Sequence, residues 1–230
     1  YGFPGFAINC TDPKNGELTK GFLEKVFLPE AFINLLALLG WNDGTEKEIF
    51  SKEELIEKFT MERVHSGGAK FDYEKAKWFN HEWIKQSAVG SLQPAVRTLL
   101  LQSGITVTDD SLLAKVIVLV KERCTLMTDF VQQSAFFFQT PVELDVDTVK
   151  PKWNETKKLF FSELIRNYEL SADWNPHTLE NNFKEIAAVN DLKPGELMLP
   201  FRIMLVGGKF GPGVFDIAGI LGKEETINRI

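Results

Sequence analysis

The chain has 230 residues, 44% of them hydrophobic, with a formal net charge of −6 and a pI near 5.3. That length can bury a real core, as one large domain or two small ones, while the acidic balance excludes a protein that grips nucleic acid by bulk attraction. No apolar run approaches the roughly 18 residues of a membrane span, and the first residues lack the basic-then-apolar order of a signal peptide, so a soluble cytoplasmic protein without a membrane partner is expected.

"YGFPGFAINC" opens the chain without a Met and in mid-pattern, as expected of a piece of something longer. This stretch and "ITVT" (105–108) are the strand signals, and both are short, so at most a few small strands are predicted. The first helix lies in "EKVFLPEAFINLLALLGW" (24–41). Pro29 suits its first turn, Phe32, Leu35, Leu36 and Leu39 recur at helical spacing, and Gly40 is expected to close it in the left-handed conformation. In "SKEELIEKF", Ser51 followed three residues on by Glu54 reads as a capping box. "FDYEKAKWFNHEWIKQ" follows with Asp72 as cap and Tyr73, Ala76, Trp78, Phe79 and Trp83 as apolar positions.

"SLLAKVIVLVKERC" and "LMTDFVQQSAFFF" predict two more helices, and "DTVKPKWNETKKLFFSELIRNYEL" the longest. "HTLENNFKEIAAVN", "GELMLPFRIMLVGG" and "GVFDIAGILGKEETINRI" complete a mostly α chain. Breaks near "QSAVGS" and in "QTPVELDVD" divide the helices into three groups, 1–86, 87–146 and 147–230.

Charge is unevenly spread. Residues 42–58 hold six acids against three lysines and 169–191 five against one, whereas "VKPKWNETKK" (149–158) has four lysines against one Glu. Such a surface can repel a polyanion in one place and accept it in another, although a solvated helix face explains each run equally well.

Catalytic chemistry finds no foothold. His65, His81 and His177 share no metal-ligand spacing, and no Ser or Cys sits in a nucleophile-elbow setting. Cys10 and Cys124 are far apart without a CxxC pattern, which predicts two separate reduced thiols. "HSGGAKFD" (65–72) offers glycines before a helix but lacks the Walker lysine followed by Ser or Thr, so a plain turn is favoured. "GKFGPGVF" (208–215) reads as a tight turn into a helix whose first amides are free to meet a ligand.

One long stretch points further. "LPEA", "LLGW", "EIFS", "LIEKF", "ERV", "GAKFD" and "KWFN" follow one another across some sixty residues in an order that resembles bacterial glutamyl-tRNA synthetases beyond their KMSKS-type loop. At the far end "LPFRIMLVGGKFGPGVFDIAGILGKEETINRI" is similar to that family's C-terminal helices, and "LVKERCTLMTDF" (119–130) is the best anchor between.

The resemblance implies an all-helical anticodon-binding cage of two subdomains, 87–146 and 147–230, after a stem-contact region and the end of a catalytic body over 1–86. Neither a HIGH-type motif nor a KMSKS-type loop occurs in the chain, so it implies tRNA binding without catalysis by this piece. No cofactor is expected here, with ATP and Mg belonging to the full-length enzyme. The implied partner is the glutamate isoacceptor tRNA, met by a monomer.

The same resemblance nominates residues. Arg123 matches the position whose arginine reads the third anticodon base, with Lys121 beside it, although both could instead complement the negative end of the helix dipole. Arg202, among Leu199, Phe201, Ile203 and Met204, needs an outlet, either a surface carboxylate or a nucleotide, and the family has an anticodon-contacting arginine there. Gly211, Pro212, Gly213, Val214 and Phe215 are implied beside the first anticodon base, without the threonines often found in that turn. For the tRNA stem, Arg63 leads, followed by Lys70, Lys75 and Lys77. Two readings of other classes stay open: a helical interaction scaffold presenting "SAFFFQ" (134–139), and an independent enzyme.

Overall fold

Local sequence explains most of the helix ends. In a computed structural model, residues 10–11, 18–19, 27–65, 67 and 70–230 are described. Strands β1 (Cys10–Thr11) and β2 (Leu18–Thr19) pair antiparallel, and the rest of the "YGFPGFAINC" strand expectation lies outside the described residues. Helix α1 (Pro29–Leu38) starts at its proline as expected. It ends differently: Leu39 stays right-handed, its N–H bonded to Leu35 and Leu36 carbonyls, and Gly40 does not adopt positive φ. A carbonyl-sharing last turn removes the need for a glycine cap.

Helix α2 (Lys52–Lys58) carries the full capping box of Ser51 and Glu54. In α3 (Tyr73–Gln86), Asp72 accepts from the Glu74 and Lys75 amides. Helix α4 (Val89–Gln102) is not among the expected elements: it begins within the "QSAVGS" stretch that reads as a break, and it carries Pro94 inside it. "ITVT" forms no strand pairing among the described residues; Ile105 N–H instead bonds back to Leu100 O at the end of α4. Helix α5 (Asp110–Val120) is shorter than predicted, its last residues Lys121–Arg123 tightening into a 3-10 turn.

Helix α6 (Asp129–Ser134) runs into a 3-10 turn at Ala135–Phe137 that buries Phe136 and Phe137, so "SAFFFQ" contributes to the core. The predicted longest helix is broken at Pro151 into α7 (Val146–Val149), a 3-10 turn Lys150–Lys152 and α8 (Glu155–Leu170), the last capped by Asn154. Proline supplies no amide for the interrupted ladder. Helices α9 (Pro176–Val189) and α10 (Pro194–Val206) both begin on proline, and Gly207 ends the second at φ 87°. The last stretch is divided by Gly222, at φ 83°, into α11 (Val214–Leu221) and α12 (Lys223–Arg229).

The chain divides into two compact units, residues 1–99 with 121–132 and residues 100–120 with 133–230. In the first, α1 packs on α2 and α3 around Phe27, Leu35, Ala76 and Phe79, with Trp41, Phe50 and Leu55 as a second cluster. Asn34, fully buried, holds it together: its amide donates to Glu48 O and its oxygen accepts from Phe50 N–H and Trp83 Nε1. In the second unit, α9 packs against α8 and α11, and Phe160, Phe183, Phe201 and Phe215 meet ring to ring at 5.0–5.9 Å. Each such buried ring removes one of the largest apolar areas a side chain can offer. Among the described residues no helix is long and apolar enough to cross a membrane.

Candidate nucleic-acid interface

Arg123 stands on the Lys121–Arg123 turn between two anchored neighbours. On one side Lys121 Nζ donates to the carbonyls of Lys85 (2.8 Å) and Ser87 (3.3 Å), at the end of α3. On the other, Cys124 is fully buried and its carbonyl meets His81 Nδ1 at 2.9 Å. Asn80, also fully buried, donates from its amide to Thr125 O (2.6 Å) and accepts Leu28 N–H (2.7 Å). The Asp129 carboxylate then accepts the amides of Thr125 and Leu126 at 2.8 Å each. The backbone carrying Arg123 is therefore pinned, while its side chain is exposed and makes no ion pair or hydrogen bond among the described residues. An unspent guanidinium on a fixed mount presents five donors in a rigid fork.

Burial pushes the Cys124 thiol up to about 12, with the Asp129 charge adding to the effect. A thiol so held remains protonated and unreactive near neutral pH.

Arg202 takes a different part. Its Nη1 donates to three successive carbonyls, Phe210 (3.0 Å), Gly211 (3.2 Å) and Pro212 (2.6 Å). Backbone carbonyls are thus one outlet for this arginine, and the guanidinium helps to shape the turn before α11. Gly211 sits there at φ 97°, where a side chain would be strained. A Cβ on Gly213 would collide with the Asp216 carboxylate. Val214 and Phe215 are buried, and Gly213 caps α11 with no side-chain bond. Asp216, exposed in the first turn, places a negative charge beside the unpaired amides, so this helix start suits a base edge better than a phosphate.

The stem candidates are mostly engaged. Arg63 Nη1 donates to Asp43 O and its guanidinium lies beside Gly44. Lys75 pairs with Glu48 at 2.6 Å. Lys77 pairs with Glu74 at 2.7 Å, a bond that raises its pKa. Such exposed pairs are weak and can yield to a phosphate. Lys70 is exposed with no partner among the described residues. Lys75 and Lys77, two positions apart on a helix, do not face the same way. Asn34 and Asn80, which the sequence offered no signal for, are what hold these elements in register.

Three or more His, Cys, Asp or Glu side chains that could hold a metal gather nowhere among the described residues.

Comparison with known proteins supplies the wider frame. The family described as "Anticodon binding domain" matches residues 73–230, and "tRNA synthetases class I (E and Q), catalytic domain" matches residues 18–78. A glutamate–tRNA ligase of Porphyromonas gingivalis is 39% identical and one of Flavobacterium johnsoniae 42% identical, each over 229 residues. Both alignments span the whole of this chain but only 45% of the relative. A crystal structure of a glutamate tRNA ligase from Elizabethkingia meningosepticum in complex with its amino acid is 36% identical with a TM-score of 0.87, covering all of this chain and 45% of that one. The corresponding enzyme of Elizabethkingia anophelis gives 36% and 0.81.

Proposed function

The chain belongs to the anticodon-binding-domain family, and we propose that it serves as the tRNA-reading part of a glutamate–tRNA ligase. The protein it serves attaches glutamate to its tRNA with ATP and Mg, which are handled outside this chain, as a cytoplasmic monomer. Residues 1–86 are the end of the catalytic body and the stem-contact region, where Arg63 and Lys70, and Lys75 or Lys77 on releasing their carboxylates, supply the phosphate contacts. Residues 87–146 and 147–230 form the two halves of the anticodon cage.

Arg123 reads the third anticodon base in this assignment, Lys121 holds its mount to α3, and the turn Gly211–Phe215, braced by Arg202, receives the first base. The single observation that carries the reading is the pairing of an exposed Arg123, without a partner among the described residues, with a backbone tied down at Lys121, Cys124 and Thr125. RNA sequence is read on unstacked bases by preorganised donors, and an anticodon loop supplies such bases.

Chemical footprinting of the glutamate tRNA with the chain tests this. Protection confined to the anticodon loop and the adjoining stem is expected, and unprotected anticodon nucleotides at saturating protein would overturn it. The same chain is expected to support no glutamate-dependent ATP–pyrophosphate exchange, since it carries neither ATP-handling motif.

A further inference from the structure

An apolar groove of about 340 Å³ lies between α7 with its following 3-10 turn and α10, lined by Leu144, Val146, Trp153, Pro200, Ile203 and Met204 among others. That volume is at the lower end of small-ligand pockets, room for one flat ring system. Trp153 is 38% exposed, and its indole lies nearly parallel to Phe161 at 5.7 Å and 14°. Leu144 and Val146, 44% and 51% exposed, extend the apolar wall.

Charge distinguishes this groove from an ordinary hydrophobic patch. Lys150 lines it, Lys152 sits on the same 3-10 turn, and both are exposed without a carboxylate partner among the described residues. The other two lysines of the run are spent: Lys157 is buried and donates to Lys152 O at 2.7 Å, and Lys158 lies 3.7 Å from Glu155. Of the nearby acids, Asp145 is engaged by Thr148 and by Lys209 at 3.4 Å, while Asp147 on α7 and Glu143 just before it are exposed.

Asp145 N–H donates to Gly207 O at 2.8 Å, which ties the start of α7 to the end of α10 and so fixes the two walls of the groove against each other.

We propose that this groove takes an unstacked nucleobase of the bound tRNA, stacked on Trp153, with Lys150 and Lys152 meeting the flanking phosphates. The assignment rests on the tRNA-reading function above. Base stacking on aromatic rings beside cations is the usual means of holding single strands, and it is tolerant of sequence because every base has a π-face.

Binding of the glutamate tRNA is measured for the wild-type chain, Trp153→Leu, Lys150→Gln/Lys152→Gln and, as reference, Arg123→Gln, over a range of salt. Trp153→Leu is expected to lose between about five- and a hundredfold in affinity. The double lysine variant is expected to bind more weakly with a salt slope shallower by about one to two units. Should Trp153→Leu also lower the melting temperature, the lysine variant decides, since its exposed side chains hold nothing together, along with photo-crosslinking of tRNA to the peptide containing Trp153. Wild-type affinity and slope in both groove variants, with Arg123→Gln still altered, overturns the groove and leaves the anticodon reading standing. That outcome would fit a protein partner on this face. No tRNA binding by the wild type overturns both.

Discussion

Lys121 and Arg123 stand two residues apart on one 3-10 turn and meet opposite fates: the ammonium is bound to the Lys85 and Ser87 carbonyls, while the guanidinium is exposed and has no partner among the described residues. The first fixes the turn and the second is left to act.

Arg123→Gln separates recognition from stability. An exposed substitution without partners should cost about 0.5 kcal/mol or less, while discrimination between third-base cytosine and guanine narrows by about 1 to 3 kcal/mol. Binding of two tRNA variants in one buffer decides it, and an unchanged affinity ratio would reduce Arg123 to a surface charge.

Lys121→Met should behave in the reverse way. It keeps the aliphatic stem but leaves two carbonyls at the end of α3 without their donor, so urea unfolding should show a loss of about 1 to 2 kcal/mol. Affinity for both tRNA variants then falls alike, through a looser mount. Wild-type stability would mean that the carbonyls find water without cost.

Arg202→Met tests the brace. Three carbonyls of residues 210–212 lose a common donor, and a loss of about 1 to 2 kcal/mol is expected. Amide exchange at Val214 and Phe215 should quicken more than in α9. Uniform exchange rates would place the brace elsewhere.

Asp43 sets an acid dependence. Hydrogen bonding from Thr45 is the largest cause that lowers its pKa to about 2, with Lys58 at 3.1 Å adding to it. An unfolded aspartate ionises near 3.9, roughly, so the native state favours the charged form. The contribution is complete above about pH 4 and disappears as pH falls through about 2. Wild type and Asp43→Asn should therefore differ in melting temperature at pH 6 and converge towards pH 2. A constant difference across that range would remove Asp43 as the cause.

Short-range hydrogen bonding is what the sequence determined by itself. Ser51 with Glu54, and Asp72, each cap a helix whose amides lie two or three residues on, so the pattern and its partner are read together; Asn154 and Asn175 cap theirs at the same short range, although neither is among the caps expected from the sequence. The order of motifs likewise carried the family, and with it Arg123 as a nominee. Tertiary structure decided which nominated cations remain available. Lys121 is spent on carbonyls 34 and 36 residues away, Arg202 on a turn 8 to 10 residues ahead, and Lys75 on Glu48 27 residues back. No spacing rule reaches so far, because a charged group bonds to whatever the fold brings within 3 Å or so. The same reason explains "ITVT", which has strand-forming residues but no paired strand among the described residues, and the groove at Trp153, whose walls come from helices some fifty residues apart in the chain.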